Sequence, residues 1–176
     1  SGHDHIHLSP NSEAMRTLDT IAFKEFGQGY YGWMTAINSA VIRMANNFGI
    51  SLLFYSEDGE IEYGGGTEYQ YEGVYGIDYI KRAYLNDTYT TVLDKAALTE
   101  RDSYWFRFPD EHMGTLSDDL EITHLSFYEN WDPYRNYLVA KEFCGLEDKE
   151  GANIATFTNF AQNDQALTSL HYYLMY

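Results

Sequence analysis

One stretch limits the possible folds more than any other: residues 50–66, ISLLFYSEDGEIEYGGG. An apolar run, Ile50-Ser51-Leu52-Leu53-Phe54-Tyr55, leads directly into Glu57, Asp58, Glu60 and Glu62 and then into Gly64-Gly65-Gly66. A short run of apolar and aromatic residues bounded by glycines predicts a buried strand. Open α/β sheets collect ligands beyond the carboxyl ends of their strands. A strand that opens into carboxylates and pliant backbone is therefore expected to form one wall of an active site. Carboxylates placed there can hold Mg²⁺ on a nucleotide, or orient a hydroxyl or amine. A hairpin competes with this reading, with Asp58-Gly59 turning between Phe54-Tyr55 and Ile61-Tyr63 and the acids simply solvated. Residue types alone leave both open, although the spacing does not fit a calcium loop.

The flanking patterns place this stretch in a mixed fold. His3 to Ser9 alternates and predicts a short strand. Ser9-Pro10-Asn11-Ser12 supplies N-cap chemistry, with Pro in a permitted early position. Met15, Leu18, Ala22 and Phe26 recur at helical spacing, and Gly27 is placed to stop that helix. After a Gly-Tyr connector, Met34, Ile37, Val41, Met44, Ala45 and Phe48 form an apolar stripe that Gly49 ends. Strand, helix, helix, strand is the order of part of a doubly wound parallel sheet. Residues 1–66 are thus expected to be the second half of a nucleotide-binding α/β domain. Residues 67–130 are expected to be an α+β insertion or lid, with short helices over Ile77–Leu85 and Thr91–Leu98 and a strand over Leu120–Tyr128. In residues 131–176 Asp132 and Pro133 predict a helix start, Gly145 a stop, and Asn163-Asp164 the start of a last helix. The chain begins without Met and stops inside an apolar pattern, so an internal portion of a longer protein is expected.

Charge narrows the partners. Twenty-seven acidic against eleven basic residues give a net charge of −16, which argues against nucleic acid or an anionic membrane. A small anionic ligand held by helix N-termini and a few arginines is still compatible. No apolar run reaches the length of a membrane span. Cys144 is the only cysteine, so no intrachain disulfide forms and a reducing cytoplasm fits. Within its helical pattern Cys144 is expected to pack. The 17 tyrosines and three tryptophans suit stacking on sugars or bases, an ordinary core, or a subunit interface such as a homo-oligomer would use.

Two further constellations could carry chemistry. In His3-x-His5-x-His7 alternate residues of a strand share a face, so three imidazoles could meet on one metal ion. A metal-dependent hydrolase opening this way needs a barrel of about 250 residues and later ligands, which His112, His124 and His171 do not supply in any recognisable motif. The other constellation is Asn130-Trp131-Asp132-Pro133 with Asn163-Asp164 and His171-Tyr172-Tyr173, where a helix N-terminus could meet an anion. Asp132 could equally be a cap alone, His171 an interior group, and Arg135 an ion-pair partner. Phosphate-cradling loops, the nucleophile elbow and paired cysteines are all missing from the sequence.

Taken in order, Gly2-His3-Asp4-His5-Ile6, Ser9-Pro10-Asn11, Met15-Arg16-x-Leu18, Leu52 to Gly65, Trp131-Asp132-Pro133 and Leu170-His171-Tyr172-Tyr173 resemble the N-acetyl sugar amidotransferases. These are PP-loop ATP pyrophosphatases of bacterial surface-polysaccharide synthesis. The resemblance spans nearly the whole chain and rests on the ordered set, with no single diagnostic motif. It implies an adenine nucleotide alpha hydrolase-like sheet, ATP with Mg²⁺, a sugar or nucleotide-sugar substrate, and a glutaminase partner supplying ammonia. The implied chemistry adenylates an N-acetyl amide oxygen, after which ammonia displaces AMP and leaves an acetamidino group. By the same resemblance Glu57 and Glu62 are catalytic, while Asn11, Ser56, Tyr63, Gly64, Asp132, Asp164 and His171 bind substrate or nucleotide. Ser56 stands where the family commonly has glycine, which bears on how closely a nucleotide can approach. The family's SGGxDS pyrophosphate loop is absent, so this polypeptide alone is expected not to hydrolyse ATP. A non-catalytic carbohydrate-binding or partner-docking domain is the alternative from another class, and the histidine-based metal hydrolase is a third.

Overall fold

A computed structural model describes residues 4–56, 71–109 and 120–148. The fold is mixed α/β. Its elements are α1 (Ser12–Phe26), α2 (Tyr31–Phe48), β1 (Leu52–Tyr55), α3 (Ile77–Ala83), α4 (Tyr89–Ala96), α5 (Glu100–Ser103), a 3₁₀ turn (Tyr104–Phe106), β2 (Glu121–His124), α6 (Leu125–Tyr128) and α7 (Pro133–Cys144). The chain divides into two compact units, Ser1–Tyr128 and Glu129–Tyr176.

In the first unit, β1 and β2 pair in parallel with Leu52 opposite Glu121 and Tyr55 opposite His124. The segment expected to be an insertion thus supplies a strand to the sheet of β1. Residues Glu121–His124 form that strand, but Leu125–Tyr128, expected to continue it, turn into a helical turn. On its other side β2 bonds to Tyr75, whose N–H donates to the Ile122 carbonyl at 2.9 Å and whose carbonyl accepts from Ile122 at 3.0 Å. Leu53 and Ile122 are buried on one face of the pair, while Leu52 and Phe54 point the other way and are about half exposed. The doubly wound sheet expected from sequence goes beyond this two-stranded core.

Local signals set the helix ends. The Asn11 side chain accepts from the N–H groups of Glu13 and Ala14 at 2.9 and 3.1 Å, capping α1. Pro10 therefore lies before the cap and not within the first turn. Gly27 and Gly49 take left-handed φ of 69° and 65° at the ends of α1 and α2, where any side chain would be strained. The strand expected over His3–Ser9 does not form over its described residues, 4–9. Alternation holds a strand only when a neighbour takes its backbone hydrogen bonds, and no neighbour is found among the described residues.

The hydrophobic stripe expected on α2 does not decide which way that helix faces. Thr35, Ala36, Asn38, Ser39, Ile42, Arg43 and Ala45 are buried, whereas Val41 and Phe48 are exposed. Small residues allow α1 and α2 to approach closely, and polar side chains inside are held by hydrogen bonds. Thr35 donates to the Tyr31 carbonyl at 2.7 Å and Asn38 to the Met34 carbonyl at 2.9 Å, while Ser39 donates to the Trp105 carbonyl. Tyr30, before α2, has φ 57° and gives the helix no side-chain cap. Asp19 of α1 does this instead, accepting from the Gly32 N–H at 2.7 Å. Burial raises the Asp19 carboxyl above the usual carboxylate value, and the Gly32 hydrogen bond offsets part of that rise.

In the second unit, Asp132 caps α7 by accepting from Tyr134 and Arg135 N–H groups, both at 3.0 Å, and Gly145 ends the helix at φ 70°. Cys144, expected to pack, is exposed. Lys141 donates to Asp148 at 2.6 Å and to Tyr137 at 3.2 Å. Those two hydrogen bonds, that with Asp148 the stronger, push the Lys141 ammonium up to about 12. The last helix expected from Asn163-Asp164 onward lies outside the described residues.

Two expectations follow. A Cβ at Gly32 would sit 2.6 Å from the Met15 carbonyl oxygen. Alanine is the better helix former by about 1 kcal/mol, but overlap with rigid backbone outweighs it, so Gly32→Ala should lower stability by about 1–3 kcal/mol in urea unfolding. The raised Asp19 value gives a pH signature as well. The stability of wild type relative to Asp19→Asn should fall as pH rises from the ordinary carboxylate value through the raised one, because the folded form binds the proton more tightly. Outside that window the difference should be flat.

Candidate functional site at the strand ends

Parallel pairing brings the last residues of both strands to one edge. There Tyr55 stacks on His124 with ring centroids 5.4 Å apart, and Tyr75 stacks on His124 at 5.5 Å. His124 Nδ1 lies 2.5 Å from the Tyr75 hydroxyl. Its Nε2 lies 3.3 Å from the hydroxyls of both Tyr75 and Tyr84. Below them the Tyr55 hydroxyl donates to Asn38 Oδ1 at 3.2 Å. These groups, with Met34 and Ile37 of α2, line a cavity of about 10 Å³.

Each member arrives by a different route. Tyr55 and His124 end the paired strands, and the isolated bridge of Tyr75 to Ile122 sets the second tyrosine beside them. Tyr84 is the C-terminal cap residue of α3, and its backbone N–H bonds the Ile80 carbonyl. Asn38 is fixed by its own bond to the preceding turn of α2. An imidazole bridging phenols can take a proton on one ring nitrogen while giving one from the other. The arrangement therefore suits proton transfer to a small polar molecule.

The residues expected from sequence fall elsewhere or lie outside the described residues. Ser56 follows Tyr55 directly and is exposed, at the same edge of the sheet. Glu57, Glu62, Tyr63, Gly64, Asp164 and His171 lie outside the described residues, as does the proposed Asp58-Gly59 turn. Asn11, besides capping α1, donates through Nδ2 to Asp102 at 2.9 Å and borders a separate open cleft with Arg101, Tyr104 and Trp105. Asp132 belongs to the second unit, where it is a helix cap. Arg135 pairs there with Glu129 at 3.1 Å between exposed side chains, a contact of small energetic weight. Of the histidine triplet, His3 lies outside the described residues, His5 and His7 are exposed, and His7 Nε2 lies 2.9 Å from Ser9 Oγ. No group of three metal-ligating side chains occurs among the described residues.

His124, Tyr75, Tyr84 and Asn38 were not nominated by sequence. His124 lies inside the segment expected to be a strand from Leu120 to Tyr128, and only the structure ends β2 there, which puts it beside Tyr55 at the end of β1.

The Tyr75–His124 contact can be tested by itself. Tyr75→Phe should cost about 1 kcal/mol in denaturant unfolding and change the tautomer balance of His124, read from imidazole nitrogen chemical shifts. Unchanged shifts would mean that the two side chains do not meet in solution. Among the described residues no helix is long and apolar enough to cross a membrane. No family model matches the chain, and no curated protein matches it either.

Proposed function

We propose that this chain is a portion of an ATP-dependent amidotransferase that converts a sugar N-acetyl group to an acetamidino group in the cytoplasm. The observation that carries the proposal is the register of the sheet. Two parallel strands end together at Tyr55 and His124, and β1 leads at once into Ser56 and the acidic, glycine-rich segment. Ligands in parallel α/β sheets lie beyond such an edge. The ordered resemblance to N-acetyl sugar amidotransferases supplies the chemistry.

A larger, doubly wound sheet of the adenine nucleotide alpha hydrolase-like kind is part of this reading. Parallel sheets are normally covered on both faces. Here Leu52 and Phe54 stand about half exposed on the outer face, and Phe127 and Tyr128 are similarly exposed. Among the described residues only β2 pairs with β1. A further parallel strand beside β1 and a helix over Phe54 would satisfy both features.

An amide oxygen is a poor leaving group, and adenylation by ATP makes it a good one. Glu57 and Glu62 would act at the reacting centre, with Mg²⁺ on the nucleotide taking ligands from this acidic segment. Ser56, Tyr63 and Gly64 would contact nucleotide, and Asn11, Asp132, Asp164 and His171 would contact substrate or nucleotide. Ammonia would come from a glutaminase partner. Positioning and charge neutralisation would do most of the catalytic work.

The direct test labels the acetyl carbonyl of the nucleotide-sugar with heavy oxygen and supplies the complete enzyme with ATP and ammonium chloride. The label should appear in AMP, with pyrophosphate released and the sugar amide oxygen replaced by nitrogen. AMP without the label, or no AMP, removes the amidotransferase reading and leaves a sugar-binding or docking domain as the better account.

A further inference from the structure

The open cleft that Asn11 borders is a second feature of the first unit, separate from the strand ends. It lies between residues 9–12, which lead into α1, and residues 100–105 of α5 and the 3₁₀ turn, and measures about 1130 Å³. Its two walls are fixed to each other. Asn11 Nδ2 donates across to Asp102 at 2.9 Å, and Thr99 Oγ1 holds the other oxygen of that carboxylate at 2.7 Å. Behind this wall Ser39 of α2 bonds the Trp105 carbonyl, and the Arg43 guanidinium lies 4.2 Å from the Tyr104 ring centroid. The cleft is therefore set before any guest arrives, which spares a partner the cost of ordering two segments.

Its lining combines an aromatic corner with polar groups that are still available. Tyr104 and Trp105 stand at 82° to each other with ring centroids 4.9 Å apart, and Pro10 adds apolar surface from the other segment. Tyr104 is 42% exposed. Among the described residues nothing accepts from the Trp105 indole N–H, and the exposed Glu100 and Arg101 side chains make no hydrogen bond or ion pair. Indole and guanidinium are donors only. A polyproline II segment offers what such donors need, because its carbonyls are unpaired and its prolines carry no N–H to satisfy. Aromatic-lined grooves take these segments at low entropic cost. Glu100 and Asp102 outnumber Arg101 in the cleft, on a chain of net charge −16, so a cationic group on the guest is favoured.

We propose that this cleft docks a partner protein through an extended, proline-rich segment bearing one basic side chain. Proline rings pack into the corner of Tyr104 and Trp105. The Trp105 indole N–H and Arg101 donate to peptide carbonyls, while Glu100 and Asp102 hold the basic group. The inference stands apart from the amidotransferase reading. Of the residues assigned to that reaction only Asn11 borders the cleft, and here it is the staple between the walls.

The test titrates the chain with the synthetic peptide RPAPPAP by calorimetry. Salt at about 0.15 M screens general attraction to the acidic surface. The controls are RGAGGAG, of the same charge without proline, and EPAPPAP, with the charge reversed. RPAPPAP should bind about tenfold or more tightly than either control. Trp105→Ala, or Trp105→Phe if the first does not fold, should weaken that binding about tenfold, as loss of a central aromatic anchor does. Glu100→Arg, at an exposed position, should weaken RPAPPAP and strengthen EPAPPAP. Equal binding of RPAPPAP and RGAGGAG would mean charge attraction alone and overturns the proposal. Binding that no substitution alters, or no binding at millimolar peptide, overturns it too. An N-acetylglucosamine oligomer that binds in place of the peptide, and loses binding in the Trp105 variants, would make the cleft a sugar site and has the same consequence.

Discussion

Parallel pairing between β1 and β2 is the constraint on which the first unit depends. Two four-residue strands far apart in the chain can lie parallel only if the intervening segment crosses over and returns. That return brings Tyr75 to the outer side of β2, packs α4 against α1 and lays the 3₁₀ turn on α2. The buried pair Leu53 and Ile122 joins a cluster that includes Leu18, Ile42, Ile80, Leu85, Val92 and Phe106. Without the pairing Tyr55 and His124 would have no reason to meet, and the cavity would have no roof.

Helix α2 makes the crossover possible by offering polar anchors inside the core. Ser39 binds the Trp105 carbonyl, and Arg43 donates to the Arg107 carbonyl at 2.8 Å. The Arg43 guanidinium also lies 4.2 Å from the Tyr104 ring centroid. These bonds fix a connecting segment whose own turn is too short to hold itself. Burying a charged group is costly without partners, and Arg43 Nε has none among the described residues. The ring contact and the carbonyl bond offset that cost in part. Asp19 gives a comparable service to the start of α2, accepting a burial penalty in return for satisfying the Gly32 N–H at that buried end of the helix.

How much of this was legible depended on distance along the chain. Gly27, Gly49, Asp132, Pro133 and Gly145 could be read directly, and the start of α1 could be placed within Ser9–Ser12 though not at Asn11, because caps act within a few residues and need no tertiary partner. Strand β1 was equally plain from its apolar run. The facing of α2 was not, since Val41 and Phe48 looked like core and Thr35, Asn38 and Ser39 did not. Small and hydroxyl residues were preferred inside because α1 packs close and because carbonyls from distant segments needed donors. Among candidate site residues, Asp132 could be recognised as a cap, and the structure shows both it and Asn11 in that role. Glu57, Glu62, Tyr63, Gly64, Asp164 and His171 lie outside the described residues, and Ser56 alone adjoins the strand edge. His124 stood in no motif because every group around it, Tyr55, Tyr75 and Tyr84, comes from another part of the chain.

Local sequence was enough to place the ends of α1, α2 and α7 at their glycines, the start of α7 at Asp132, β1 as a strand, and a strongly acidic chain. Those features follow from local conformational preference, hydrogen bonds to near neighbours, and composition. Only the tertiary structure decided that β2 joins β1 in parallel, which face of α2 turns inward, and that a histidine ends up between two tyrosines at the strand edge. Such outcomes depend on contacts between residues tens of positions apart, whose free energy is realised only when the chain has closed on itself.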